Sequence, residues 1–218
     1  PNNVDVIKGV WMGDIRIDIL VATERFKNTV RIFSLPDMLE LDGGGLRVFK
    51  DEDNPEPMGV ALWKDKQGFA NAVVGKKDGI SGEYVSQYKL VHNKNKFELE
   101  YLRTFGLFSG KKEIEAISVD NINDIIYYSD EGFGVRAYHA DPEDGDDEIL
   151  NFAKNFTGDQ EGISIINKDN NYVVVSDQQK VNQFRIFSPE LDYKQTGSFY
   201  VNCICLLYTS PSPRDTRE

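Results

Sequence analysis

Short apolar runs alternate with polar turns along most of the chain, and no stretch carries the 3.6-residue period of a helix. The pattern predicts strands over Ile15–Ala22, Thr29–Leu35, Gly59–Trp63, Phe69–Val74, Tyr84–Leu90, Phe97–Phe105, Ile114–Val119, Ile125–Ser129, Val135–His139, Gly162–Ile166, Tyr172–Ser176 and Gln183–Phe187. Turn-forming clusters such as Asp42-Gly43-Gly44-Gly45, Lys76-Lys77-Asp78-Gly79 and Lys168-Asp169-Asn170-Asn171 separate them. Many short strands without helices leave a sandwich, a barrel or a propeller.

Self-similarity selects the propeller. Val30-Arg31-Ile32-Phe33, Val85-Ser86-Gln87-Tyr88, Val135-Arg136-Ala137-Tyr138 and Phe184-Arg185-Ile186-Phe187 are versions of one strand, and their last aromatics are spaced by 55, 50 and 49 residues. That period suits blades of four strands. Before each lies an apolar strand ending in a polar pair: Glu24-Arg25, Lys76-Lys77, Asp130-Glu131 or Asp177-Gln178. A further echo opens the blades, in Met58-Gly-Val-Ala-Leu62, Glu115-Ala-Ile-Ser-Val119 and Glu161-Gly-Ile-Ser-Ile165. Equivalent positions of successive blades form rings about the axis. Glu115 and Glu161 are expected on one ring, and Arg25, Lys77, Glu131 and Gln178 on another, at one mouth of the channel. A structural repeat needs apolar residues at its echoing positions, not charged ones.

The 218 residues suffice for one large domain or two small ones. The 36 acids against 25 Lys and Arg argue against a nucleic-acid surface. No apolar run reaches the ~20 residues that span a bilayer. Only Cys203 and Cys205 carry thiols, too few for a disulfide framework or a zinc site. The run from Cys205 to Asp215 resembles a translated sequencing adapter and breaks the preceding pattern. The domain is therefore placed at 1–204, with 205–218 as a non-native tail expected to pack on nothing.

Glu115, Glu131, Asp159 and Glu161 are four acids on three turns expected to be neighbours. Carboxylates brought together must be protonated or share cations. Hard oxygen ligands without His or Cys suit Ca²⁺ or Mg²⁺, and Ca²⁺ tolerates the more irregular site. Gln178 offers a neutral carbonyl ligand. Arg25 and Lys77 at the same mouth suit phosphate oxygens, which points to metal-assisted phosphoryl hydrolysis. Against this, a single surface acid is most often just solvated. Lys76-Lys77-Asp78-Gly79 reads equally as a plain hairpin tip, Asp144–Glu148 as a solvated acid run, and the aromatics as core. His92 and His139 show no spacing for a metal or a triad.

These motifs resemble the β-propeller phytases, calcium-dependent phytate hydrolases of bacteria, over roughly residues 1–190. The resemblance is carried by Asn2-Asn3-Val4-Asp5-Val6, by Glu115–Pro142 and by Asp159–Pro189. Tyr127-Tyr128-Ser129-Asp130-Glu131-Gly132 with Val135-Arg136, and Asp159-Gln160-Glu161-Gly162-Ile163-Ser164-Ile165 with Val175-Ser176-Asp177-Gln178-Gln179, look most like the Bacteroidetes branch. The resemblance implies calcium ligands at Glu115, Glu131, Asp159, Glu161 and Gln178, with Asp5 at a structural calcium. It implies phosphate contacts from Arg25 and Lys77, with Lys76 able to exchange roles with Lys77. Met58 stands where the better-known branch has a tyrosine ligand. The family fold is a six-bladed propeller of roughly 350 residues, so about four blades are expected here, and the chain alone is expected to be poorly soluble or inactive.

The resulting reading is an all-β propeller and a phosphoric monoester hydrolase of the 3-phytase type. Water activated by Ca²⁺ held on Glu115, Glu131 and Glu161 would release phosphate from myo-inositol hexakisphosphate without a covalent intermediate. The competing reading is a non-catalytic calcium-binding propeller for a polyanion or a protein. A lactonase-type propeller hydrolase is a third, but its Asn and His ring is not found. The resemblance also implies a monomer that is secreted, periplasmic or an outer-membrane lipoprotein.

Overall fold

The repeat resolves into four antiparallel sheets of four strands, in a computed structural model that describes residues 2–167, 170–179 and 182–201. Blade 1 holds β1 (Val4–Met12), β2 (Ile15–Glu24), β3 (Thr29–Leu35) and β4 (Leu46–Arg47). Blade 2 holds β5 (Pro57–Lys64), β6 (Ala70–Lys76), β7 (Val85–Asn93) and β8 (Lys96–Phe105). Blade 3 holds β9 (Ile117–Asp120), β10 (Ile125–Asp130), β11 (Gly134–His139) and β12 (Leu150–Phe152). Blade 4 holds β13 (Ile163–Asn167), β14 (Asn171–Asp177), β15 (Asn182–Ser188) and β16 (Lys194–Val201). Each sheet runs in chain order, and the first strands β1, β5, β9 and β13 pack in series. The blades follow one another about an axis as a propeller. Cys203, Cys205 and the 205–218 tail lie outside the described residues.

The recurring aromatics Phe33, Tyr88, Tyr138 and Phe187 all fall on the third strand of a blade. Four strands are additions to those expected from sequence: β1, β4, β12 and β16. The expected strand at Ile114–Val119 starts later, at Ile117. Ile114 and Ala116 are apolar because they are buried between blades, not because they join a ladder.

Three apolar layers fill the gaps between consecutive blades. Alternation along a strand divides its residues between two gaps. Ala72 and Val74 of β6 face blade 1, whereas Val73 faces blade 3. Ile126 and Tyr128 of β10 face blade 2, whereas Tyr127 faces blade 4. Both faces are dry, so β5 and β6 read as nearly continuous apolar runs. Polar staples join neighbouring blades. Leu62 N–H donates to Asp5 Oδ2 (2.7 Å), Lys64 N–H to Asn121 Oδ1 (2.8 Å), and Asn167 Nδ2 to Asp120 Oδ1 (2.9 Å).

Antiparallel order fixes where chemistry can gather. The turns joining second to third strands, and the segments leading into first strands, fall at the same end of every blade. The two rings expected from sequence therefore share one mouth.

Candidate functional site

At the end of each second strand the two residues of the polar pair diverge, because successive side chains leave a strand in opposite directions. The first residue turns into its own blade. Asp130 is fully buried and accepts from Arg136 Nε (2.8 Å), Ser109 N–H (2.9 Å) and Ser109 Oγ (2.6 Å). Asp177 is likewise buried, pairs with Arg185 and accepts from Gly158 N–H (2.8 Å). Glu24 accepts from Thr29 Oγ1 (3.1 Å) and Lys27 Nζ (3.2 Å). Blade 2 inverts the charge: Lys76, 5% exposed, lies over the Phe49 ring and donates to Glu52 Oε1 (2.7 Å). The structure thus groups Lys76 with the scaffold.

The second residue of each pair reaches toward the segments that lead into the first strands. In three blades its N–H donates to the carbonyl of an acid: Lys77 to Glu56 (3.0 Å), Glu131 to Glu113 (3.3 Å) and Gln178 to Asp159 (2.9 Å). Glu56, Glu113 and Asp159 are therefore equivalent positions, each two residues before the echo at Met58, Glu115 and Glu161. Sequence reasoning named only Asp159 of the three, and carrying that echo back two residues would have found the others.

Each of these acids meets a cation. Arg25 Nε donates to Glu56 Oε2 at 2.6 Å. Lys77 Nζ lies 3.9 Å from Glu113 Oε1 and 4.0 Å from Glu56 Oε2. Across the first two gaps the cation comes from the polar pair of the preceding blade. At the third gap that position is Glu131, an acid, and the cation on Asp159 is Lys112. Lys112 also went unnoticed in the sequence, where it sits in an unpatterned loop.

Glu131 is the electrostatic centre of the site. It is 6% exposed. Burial, then the charges of Asp159, Glu115 and Glu161, push its carboxyl up to about 8, with Lys112 opposing. Of the four acids expected to be neighbours, Asp159, Glu115 and Glu161 thus each act on Glu131. Gln178 Nε2 donates to Glu161 Oε2 (3.0 Å), which places the amide beside the same group. Glu56 is held below the usual carboxylate range, chiefly by the Arg25 hydrogen bond.

Glu115 is positioned through its backbone. Its carbonyl accepts from Asn3 Nδ2 of blade 1 (2.7 Å) and crosses Gly59 so closely that a Cβ there would lie 2.2 Å from the oxygen. Asp5 stands on β1, where Val6 N–H and Leu62 N–H donate to its two oxygens (2.7 Å each). Met58 is buried, and its carbonyl accepts from Thr23 Oγ1 (2.7 Å). Beside the acids opens a cleft of about 570 Å³ lined by Lys77, Ser81, Ser109, Lys112 and Glu113 among others.

Among the described residues, no three Asp, Glu, His or Cys side chains form a ready metal-ligating group. The donor chemistry nonetheless fits a hard cation. The set is oxygen-only, and a divalent cation would relieve the acid–acid repulsion that, after burial, lifts Glu131.

Residues 1–204 match the family model described as Phytase. Comparison with curated proteins gave no match.

Proposed function

The chain belongs to the phytase family, and we propose that it is a calcium-dependent phytase removing phosphate from myo-inositol hexakisphosphate. One observation carries the reading: Glu115, Asp159 and Glu161 all bear on the buried carboxyl of Glu131, at the mouth that also holds Arg25 and Lys77.

Glu115, Glu131, Asp159, Glu161 and the side-chain oxygen of Gln178 would hold Ca²⁺. When bound, Ca²⁺ supplies the Lewis acid that polarises phosphoryl oxygen and water. The protein does the remainder. Glu131 would have to give up its carboxyl proton to serve as a ligand, so cation binding would be coupled to proton release near neutral pH. Glu56 keeps the Arg25 fork and the Lys77 ammonium near each other before substrate arrives. Arg25 presents a planar donor pair to phosphate and Lys77 a point charge. These cations offset charge that builds on the phosphoryl oxygens during transfer. The reading is direct displacement by water, because none of the ring positions 25, 77, 115, 131, 159, 161 and 178 carries a Ser, Cys or His nucleophile.

The test is phosphate release from phytate with calcium, with chelator, and with the Glu161→Gln variant alongside. The expected result is calcium-dependent release that the substitution abolishes. Calcium binding without any release would favour the alternative, a propeller that only binds polyanions or a protein partner.

A further inference from the structure

The third gap between blades departs from the charge pattern of the first two. Arg25 faces Glu56 and Lys77 faces Glu113, each cation coming from the turn after a second strand. At the third gap that turn supplies Glu131, so a second carboxyl group stands where the first two gaps have a cation. The missing positive charge comes from Lys112, on the segment that leads into β9.

Three features make this contact replaceable. The Lys112 and Asp159 side chains are 50% and 44% exposed, so the pair is screened and weak. Lys112 is held by a long flexible stem, unlike the buried Arg136 and the half-buried Arg185 of the scaffold pairs. It also lines the cleft that holds Lys77, Ser81 and Ser109, so its ammonium has a second place to go.

We propose that Lys112 is an exchangeable counter-ion. It neutralises Asp159 while the acid cluster holds no divalent cation. It leaves Asp159 when one binds, and then turns to a phosphate group of the substrate in the cleft beside Lys77. This rests on the reading of the acid cluster as a calcium site. It adds a residue that competes with the metal and contributes to anion binding once the metal is in.

Calcium titrated by calorimetry into wild type, Lys112→Met, Lys112→Arg and Glu131→Gln tests the first half. Removing the competing charge should tighten calcium binding about three- to tenfold in K112M, whereas K112R should stay within about twofold of wild type. The second half is read with myo-inositol hexasulfate, which has no phosphate to lose, at saturating calcium. K112M should bind it about three- to tenfold more weakly. Unchanged or weaker calcium binding in K112M overturns the inference, as does K112R behaving like K112M. Tighter calcium binding with unchanged hexasulfate affinity overturns the exchange. Should E131Q bind calcium as well as wild type, the acid-cluster reading itself falls, so the two failures are told apart.

Discussion

Glu131→Gln offers the sharpest single test of the acid cluster, because it removes one ionisation and little volume. In the metal-free protein the Glu131 carboxyl titrates at about 8 rather than the ordinary 4.5, so between those values the folded state holds a proton that the unfolded chain has lost. Stability must then fall as pH rises through that window, and the full difference corresponds to about 5 kcal/mol. The variant keeps a neutral group at every pH and escapes the loss. Urea unfolding in chelator at pH 5, 6, 7 and 8 would show the two proteins close together at pH 5. They should diverge progressively, with E131Q the more stable by a few kcal/mol at pH 8. Calcium should reverse the ranking, because only wild type gains a charged ligand. Parallel stability profiles in chelator would refute the reasoning, since they would mean that Glu131 is ionised without cost and the acids around it are not coupled.

Other expectations follow from the same geometry. Asp130→Asn takes one of two carboxylates from the buried Arg136 guanidinium, leaving Glu148 Oε2 at 2.6 Å, and should lower unfolding free energy by about 1–3 kcal/mol, measured by denaturant titration. Gly59→Ala forces a Cβ onto the Glu115 carbonyl and should cost about 2–4 kcal/mol, with weakened calcium binding as a second readout. Arg25→Leu should reduce phosphate release on the order of 100-fold at fixed calcium. Lys76→Met should mainly lower thermal stability, and its loss of kcat/KM should be smaller than that of Lys77→Met; the reverse order would place Lys76 at the mouth.

The strands buried on both faces were legible as apolar runs, and the aromatic period located every third strand. The outer strands were not. β4 and β12 span only two and three residues, and β16 is exposed along most of its length, so neither length nor alternation marks them. β1 hides its period behind a register break between Ile7 and Val10, where Gly9 takes a positive φ. At the site, the polar pairs were visible, and the second member of each, Arg25, Lys77, Glu131 and Gln178, was the one expected at the mouth. Only Lys76 and Lys77 were left able to exchange roles, because they are chemically alike and the strand's alternation alone separates them. Glu56 and Glu113 escaped notice because an acid in a loop is ordinarily solvated. Their meaning comes from a backbone bond that aligns three blades.

The splitting of each polar pair separates two kinds of selection within adjacent codons. The first position answers to folding and, on the function proposed above, the second to chemistry. The second already varies among arginine, lysine, glutamate and glutamine from blade to blade, on one backbone. A mouth of this kind can be rewritten one residue at a time while the blades stay as they are. Inserting or deleting a single residue within β6, β10 or β14 would instead exchange the two roles at once, burying the site residue and exposing its anchor. Length changes there should be far rarer among functional descendants than substitutions at positions 25, 77, 131 and 178.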